Sequence, residues 1–280
     1  MSINCIITGA TDGIGKQTAI ELSRLGYCLG LVGRNKEKGS AVLKEIKTIT
    51  GNQSIKYFNT DLSVIKNISN LTEKIKNEYN SIDILINNAG SYFSHYEKTK
   101  ENLEKTFALN HLSYFTLTNL LIDNLGLGQS GRVINIASAA HFNGVLDMNN
   151  IQMENRYKGW SAYCNSKLMN VLFTYEAHNK YRDRNISFNC LHPGFVNTNF
   201  GDANKGLRKN ILSIGKKLIG LDVKKGAKTI IFLASSKEVK NISGKYFNKS
   251  IIVQSSKKSH SNSNQKKLWE YSQRLMQDLL

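Results

Sequence analysis

The stretch Ile3-Asn-Cys-Ile-Ile-Thr8-Gly9-Ala-Thr11-Asp-Gly13-Ile14-Gly15 decides the fold, because it reads as a strand, a glycine-rich turn and the start of a helix. Ile14, Thr18, Leu22 and Leu25 recur at helical spacing and give that helix one buried face. Glycines at positions 9, 13 and 15 let the backbone turn tightly and approach a pyrophosphate at the helix N-terminus, with Thr11 and Ile14 in the same turn. The spacing is Gly-x-x-x-Gly-x-Gly, not the Gly-x-Gly-x-x-Gly of ordinary dinucleotide folds, and such a turn can also be merely a turn. Its place directly after a first strand favours the phosphate reading.

A second strand, Cys28 to Val32, runs into Gly33-Arg34-Asn35. A dinucleotide domain normally places there the acid that grips the ribose 2′-hydroxyl of NAD. This chain offers Arg34 instead, with Lys36 and Lys38 close by. A guanidinium pairs bidentately with a 2′-phosphate that an acid would repel, so NADP(H) is expected over NAD(H).

A helix over Lys36 to Thr50 and a third strand over Ile55 to Asn59 lead to Asp61-Leu62. Asp61 could accept from an adenine amino group or cap the next helix. The fourth strand, Ile82 to Ile86, ends in Asn87-Asn88-Ala89-Gly90, which suits a ligand-lined turn as well as plain turn chemistry. A long helical region over Thr99 to Leu125 carries Asn110 in a largely apolar turn, where a buried amide holds a water or braces backbone. The fifth strand, Val133 to Ile136, delivers Ser138, and the strand Ile186 to Leu191 ends in His192-Pro193-Gly194-Phe-Val196-Asn-Thr198. About six strands alternating with helices predict a single-domain, Rossmann-type α/β fold: a doubly wound parallel sheet with helices on both faces.

Ser161-Ala-Tyr163-Cys-Asn-Ser-Lys167 precedes an apolar run, Leu168 to Tyr175. On a helix, Tyr163 and Lys167 stand on one face, one turn apart. An ammonium so close favours the phenolate, so the phenol is expected to fall from about 10 toward working pH and to trade a proton with an alcohol or carbonyl oxygen. The pair alone is common by chance; the motifs before it give it weight.

Hydrophobic residues make up 40% and charged residues 21% of 280, ordinary for one globular α/β domain. The four cysteines are scattered and show no ligand-like pairing, so no metal site is expected, and Cys5, Cys28 and Cys190 read as reduced core residues. No run of eighteen apolar residues exists, and the first strand begins within a few residues of Met1, so a cytoplasmic protein without signal peptide or membrane span is expected. The formal charge of +17 comes from lysines spread along the chain. Between Glu238 and Glu270 there are seven lysines and no acid, read as a solvated basic tail.

Taken in order, Thr8-Gly9-x-x-x-Gly13-x-Gly15, Asn87-Asn88-Ala89-Gly90, Ser138, Tyr163-x-x-x-Lys167 and Pro193-Gly194 resemble the short-chain dehydrogenase/reductase superfamily over about residues 2 to 250. Leu109-Asn-His-Leu112, Asn135-Ile-Ala-Ser-Ala-Ala-His141, Ala162-Tyr-Cys-Asn-Ser-Lys-Leu168, Ser243-Gly-Lys-Tyr-Phe247 and Lys267-Leu-Trp-Glu-Tyr-Ser272 are similar to its retinol dehydrogenase-like branch. The resemblance implies that Tyr163 is proton donor and acceptor, Lys167 holds the nicotinamide ribose, Ser138 binds the substrate oxygen and Asn110 anchors a water. It further implies that Pro193, Gly194, Val196 and Thr198 line the nicotinamide, that Asp61 and Leu62 line the adenine, and that Arg34 with Lys38 selects NADP(H). Ala137 departs from a frequent serine pair, and a protein without the membrane-anchoring N-terminus of many relatives is expected.

One domain is expected over residues 1–253, with a substrate lid at about 195–221, followed by a basic polar tail over 254–280. In the lid, Leu207, Ile211, Ile214, Leu218 and Leu221 fall near helical spacing with Arg208, Lys209, Lys216 and Lys217 between them. That pattern fits a lid with an apolar inner face, and second a surface lying peripherally on anionic membrane. Either suits a small lipophilic carbonyl or alcohol, such as a retinal-like molecule, a steroid or another aldehyde or ketone. Ser255 to Gln265 read as a polar loop or partly disordered segment, and Leu268, Trp269, Tyr271, Leu275 and Met276 as an amphipathic helix docking on the body or on a second subunit of a homodimer. The alternatives to an NADP-dependent oxidoreductase are a non-catalytic NADPH-binding regulator and, last, a nucleic-acid binder. The lysines lack the aromatic platform that the last would need, so no specific nucleic acid is expected.

Overall fold

The computed structural model describes residues 3–127, 130–194 and 223–280. Val196, Thr198 and the expected lid over 195–221 lie outside the described residues.

The apolar runs form strands β1 Asn4–Thr8, β2 Cys28–Gly33, β3 Ile55–Asn59, β4 Ile84–Asn87, β5 Gly131–Ile136, β6 Ile186–His192, β7 Lys245–Asn248 and β8 Ile251–Ile252. They hydrogen-bond in the order β3-β2-β1-β4-β5-β6-β7-β8. All neighbours are parallel except β7 and β8, which close an antiparallel hairpin. The chain thus has a doubly wound, Rossmann-type fold whose order reverses beside β1. Thr8, Gly33, Asn87, Ile136 and His192 end their strands along one edge, where such sheets bind ligands.

Successive strand residues point to opposite faces, and both faces are covered. Cys5, Ile7, Leu29, Leu31, Ile84 and Ile86 pack under α1 Gly13–Arg24 and α2 Lys36–Thr50. Ile6, Leu85, Val133 and Phe188 belong to the opposite core with α3 Ile65–Glu78. Continuous apolar sequence, rather than alternation, is the signature of a sheet buried on both sides.

The region predicted as one helix over Thr99 to Leu125 is broken. It comprises α4 Lys105–Phe107, a π-helical turn Ala108–Leu112 and α5 Ser113–Leu121. One extra residue per turn leaves the apolar pattern nearly unchanged, so the bulge is invisible to periodicity. Helix α6 Gly159–Lys180 carries the Tyr163 pair and is buried along most of its length. Helix α7 Val223–Ser235 covers the α1 side.

The carboxyl-terminal segment departs from the expected polar loop. Lys257–His260 form a 3-10 turn and Asn262–Leu279 form helix α8. Ser255, Ser256, Ser259 and Gln265 are buried; Ser255 Oγ lies 2.7 Å from Ser259 Oγ and 2.6 Å from the Tyr175 hydroxyl, so these three hydroxyls satisfy one another. On α8, Trp269 meets Phe115 edge-on at 4.9 Å and stacks on Phe173 of α6 at 5.8 Å. Among the described residues no helix is long and apolar enough to cross a membrane. No group of three or more metal-ligating side chains occurs there either.

Candidate active site

The glycine turn is stitched to the end of β4. Thr8 Oγ1 accepts from the Asn88 and Ala89 N–H groups at 2.8 and 3.0 Å, and Asn88 Nδ2 donates to the Thr8 and Gly9 carbonyls at 2.8 and 3.2 Å. Asn88, expected to face a cofactor, therefore braces the turn with its side chain. Gly9 has φ +65°, and a Cβ at Gly15 would lie 2.3 Å from the Gly9 oxygen. Only glycine permits this approach, which leaves a bare backbone concavity at the start of α1. Thr11, Gly13 and Ile14 complete the turn. Asp12 caps α1 by accepting from Gly13 N–H at 2.7 Å and pairs its other oxygen with Lys38 Nζ at 2.6 Å.

At the end of β2, Arg34 is exposed and makes no ion pair among the described residues. Asn35 caps α2, accepting from Lys38 N–H at 2.7 Å, which sets Lys38 one turn from Arg34. Asp61 does not cap α3. It accepts from the Ser63 N–H and hydroxyl, and Glu101 caps α3 from elsewhere by accepting from the Ile65 and Lys66 N–H groups at 2.7 and 2.9 Å. Leu62 is 4% exposed and turned into the core, so its side chain offers little to an adenine. The glycine concavity, the absence of an acid at the end of β2 and the free cation there fit a dinucleotide carrying an extra phosphate.

The four expected catalytic residues converge. Asn110 sits in the π turn, fully buried; its Oδ1 accepts from Ser91 N–H at 2.9 Å, and its Nδ2 donates to the Ser91 carbonyl at 2.9 Å and Ser166 Oγ at 3.1 Å. The Asn110 side chain thus braces the Ser91 backbone from both sides. A Cβ on Gly90 would lie 3.2 Å from Asn110 Oδ1 and 3.5 Å from Lys167 Nζ, so the Asn87–Gly90 turn touches both. Ser138 follows β5 in extended backbone and accepts from Ala140 N–H at 3.2 Å; its side chain also hydrogen-bonds Tyr163. Tyr92 meets the Tyr163 ring edge-on at 6.5 Å, and Trp160 lies 5.8 Å from it. Pro193 and Gly194, φ +87°, follow β6 on the same sheet edge.

The expected direction of the Tyr163 shift is reversed. Burial pushes the phenol up to about 12, with the Ser138 hydrogen bond opposing. Burial likewise pulls the Lys167 ammonium down to about 7. Lys167 Nζ donates to the Ile136 carbonyl at 3.1 Å and stands 5.6 Å from the Tyr163 ring centroid, and desolvation of both groups outweighs their attraction. Tyr163 therefore holds its proton at neutral pH, and Lys167 titrates close to neutrality.

Two contributors carried no role in the sequence reading. Asn170 Nδ2 donates to the same Ile136 carbonyl at 3.2 Å, one turn beyond Lys167, so two donors converge on one oxygen. Its signal was the i, i+3 spacing on a helix. His141, within a family-like stretch, contacts the Ser138 carbonyl at 2.7 Å.

Comparison with known proteins agrees with this geometry. The pattern of the short chain dehydrogenase family matches residues 4–206. Retinol dehydrogenase 13 from Homo sapiens is 39% identical over 249 residues, 86% of this chain and 75% of that protein. Polyprenol dehydrogenase from Homo sapiens is 34% identical, covering 95% of this chain and 83% of that protein. A short chain dehydrogenase from Burkholderia cenocepacia J2315, solved in complex with NADP, superposes with a TM-score of 0.69 over 88% of this chain and 95% of that one, at 20% identity. The chain belongs to the short-chain dehydrogenase/reductase superfamily. Within it, the chain groups with the retinol dehydrogenase-like branch, as an oxidoreductase acting on CH–OH groups with a nicotinamide cofactor.

Proposed function

We propose that the chain is an NADP(H)-dependent oxidoreductase that interconverts a small lipophilic carbonyl compound and its alcohol. The observation that carries this reading is the convergence of Asn110, Ser138, Tyr163 and Lys167 at one sheet edge, with exposed Arg34 at the neighbouring strand end. Gly9, Thr11, Gly13, Ile14 and Gly15 would hold the pyrophosphate, Arg34 and Lys38 the 2′-phosphate, and Asp61 and the Leu62 backbone the adenine. Asn88, Ala89, Gly90, Tyr163, Lys167, Pro193, Gly194, Val196 and Thr198 would surround the nicotinamide half. Bound there, the nicotinamide supplies or takes up the hydride.

The chain's own residues manage the proton. The Tyr163 hydroxyl gives its proton to the substrate oxygen during reduction, and the phenolate takes it back during oxidation. Ser138 hydrogen-bonds the same oxygen. Lys167, near neutrality, replenishes the phenol, and Asn110 keeps the Ser91 backbone and α6 in register. The lipophilic substrate class rests on the named retinol and polyprenol relatives and on the apolar residues by the site. Trp160, beside Tyr163, and Phe142, shortly after Ser138, are 56% and 50% exposed.

The test is titration of the whole protein with NADPH and NADH, in wild type and Arg34→Ala, followed by NADPH-dependent reduction of decanal. A preference for NADPH that the substitution largely removes supports the cofactor assignment, and equal affinity for both removes it. Tyr163→Phe should keep NADPH binding and lose reduction; retained turnover would refute the assignment of the proton donor.

A further inference from the structure

Ser138 is held from a direction that the reaction scheme above does not use. His141, fully buried, places Nδ1 2.7 Å from the Ser138 carbonyl oxygen, and its Nε2 receives the Ser256 backbone N–H at 3.0 Å. A backbone N–H only donates, so Nε2 must carry a lone pair. The ring proton therefore resides on Nδ1 and is donated to the Ser138 carbonyl. The same oxygen also accepts His141 N–H at 3.1 Å. Tyr246 and Phe142 pack on the ring, at centroid distances of 4.8 and 4.2 Å.

The far end of this bridge is itself fixed. Ser259 Oγ donates to the Ser256 carbonyl at 2.6 Å, and Lys258 Nζ donates to the Gly144 carbonyl at 3.0 Å, just past the Ser138 turn. The carboxyl-terminal segment thus grips both ends of the turn that presents Ser138. His141 and Ser256 are 115 positions apart, and Lys258 and Gly144 are 114.

We propose that His141 is a positioning residue: as the Nδ1–H tautomer it bridges the Ser256 N–H to the Ser138 carbonyl, so that the carboxyl-terminal segment sets the orientation of the substrate-binding serine. The proposal rests on the reading that Ser138 binds the substrate oxygen. Rotation of the Ser138 peptide would swing its hydroxyl away from Tyr163, and a misplacement of this kind lowers turnover far more than it lowers binding.

Ser256→Pro is the sharpest variant. Ser256 has φ −59°, which proline adopts without backbone strain, and its hydroxyl has no hydrogen-bond partner to lose among the described residues. The substitution removes the N–H and puts a ring carbon where its hydrogen met His141 Nε2, so the bridge cannot form. With decanal and NADPH, its kcat should fall about ten- to a hundredfold while KM for decanal and Kd for NADPH stay within about twofold. His141→Phe, which keeps an aromatic ring without either bond, should match it, and the double variant should lose no more than either single one. Gln265→Ala loosens the same segment where Gln265 Nε2 donates to the Ser259 carbonyl at 2.8 Å, without touching the bridge. It should lower Tm and keep kcat. Unchanged kcat in Ser256→Pro, or an equal kcat loss in Gln265→Ala, overturns the proposal. Should Ser256→Pro not fold, 15N NMR of wild-type His141 decides: a protonated Nδ1 supports the bridge and a protonated Nε2 overturns it. Wild type that reduces no aldehyde overturns the functional reading instead, and the 15N spectrum still reports on the bridge.

Discussion

Asn110 and Ser91 are joined twice: Oδ1 of Asn110 accepts the Ser91 N–H, and Nδ2 donates to the Ser91 carbonyl, both at 2.9 Å. The π turn exists in register with this pairing, because it aims one amide at both backbone groups of a loop residue. Asn110→Ala leaves the N–H and the carbonyl of half-buried Ser91 without these partners. Urea unfolding should show a loss of about 1–3 kcal/mol, together with reduced turnover. Wild-type stability in that variant would mean that water replaces the amide.

Gly15→Ala tests the concavity at the start of α1. The new methyl would sit 2.3 Å from the Gly9 oxygen and 2.5 Å from Asn88 Nδ2, so the turn must open. A fluorescence titration should show NADPH affinity weakened about tenfold or more, with the helical circular dichroism unchanged. Unaltered affinity would place the phosphates elsewhere.

Lys167 predicts a pH dependence of stability with a definite sign. Its ammonium titrates at about 7 when folded, against 10.5 as the ordinary value. Between those values the unfolded chain binds the extra proton, so stability rises with pH. From pH 7.5 to 9, wild type should gain on the order of 1–2 kcal/mol relative to Lys167→Met, the other groups cancelling in the comparison. Parallel stability curves for the two proteins would show that Lys167 is charged and well solvated.

Trp269 fixes the terminal helix to the helix that carries Tyr163 and Lys167 through Phe173 and through Lys180, whose Nζ lies 5.3 Å from its ring, and to α5 through Phe115. Trp269→Ala should cost about 3–5 kcal/mol in chemical denaturation. A loss below about 1 kcal/mol would show that α8 is only loosely docked.

The strand ends and the glycine turn were legible because each is a local event: an apolar run long enough to be buried on both faces, followed by residues with special backbone freedom. Arg34 and Ser138 follow strands and could therefore be placed on one sheet edge, whereas Tyr163 and Lys167 lie on a helix and joined that edge only through the family resemblance. Asp61 misled, since an acid before a helix is the usual cap, and only packing brings Glu101 to the N-terminus of α3. The Asn110 bulge escaped notice because one inserted residue scarcely alters a helical pattern.

By itself, the sequence determined the order of strands and helices, the sheet edge that carries the chemistry and the residue types there, all consequences of periodicity and local backbone preference. Tertiary structure alone decided the rest. A serine-rich tail reads as a loop until its hydroxyls find one another and Tyr175, and a tyrosine beside a lysine reads as acidified until both are desolvated. Burial and pairing across long sequence separations are properties of the packed chain, and no local stretch encodes them.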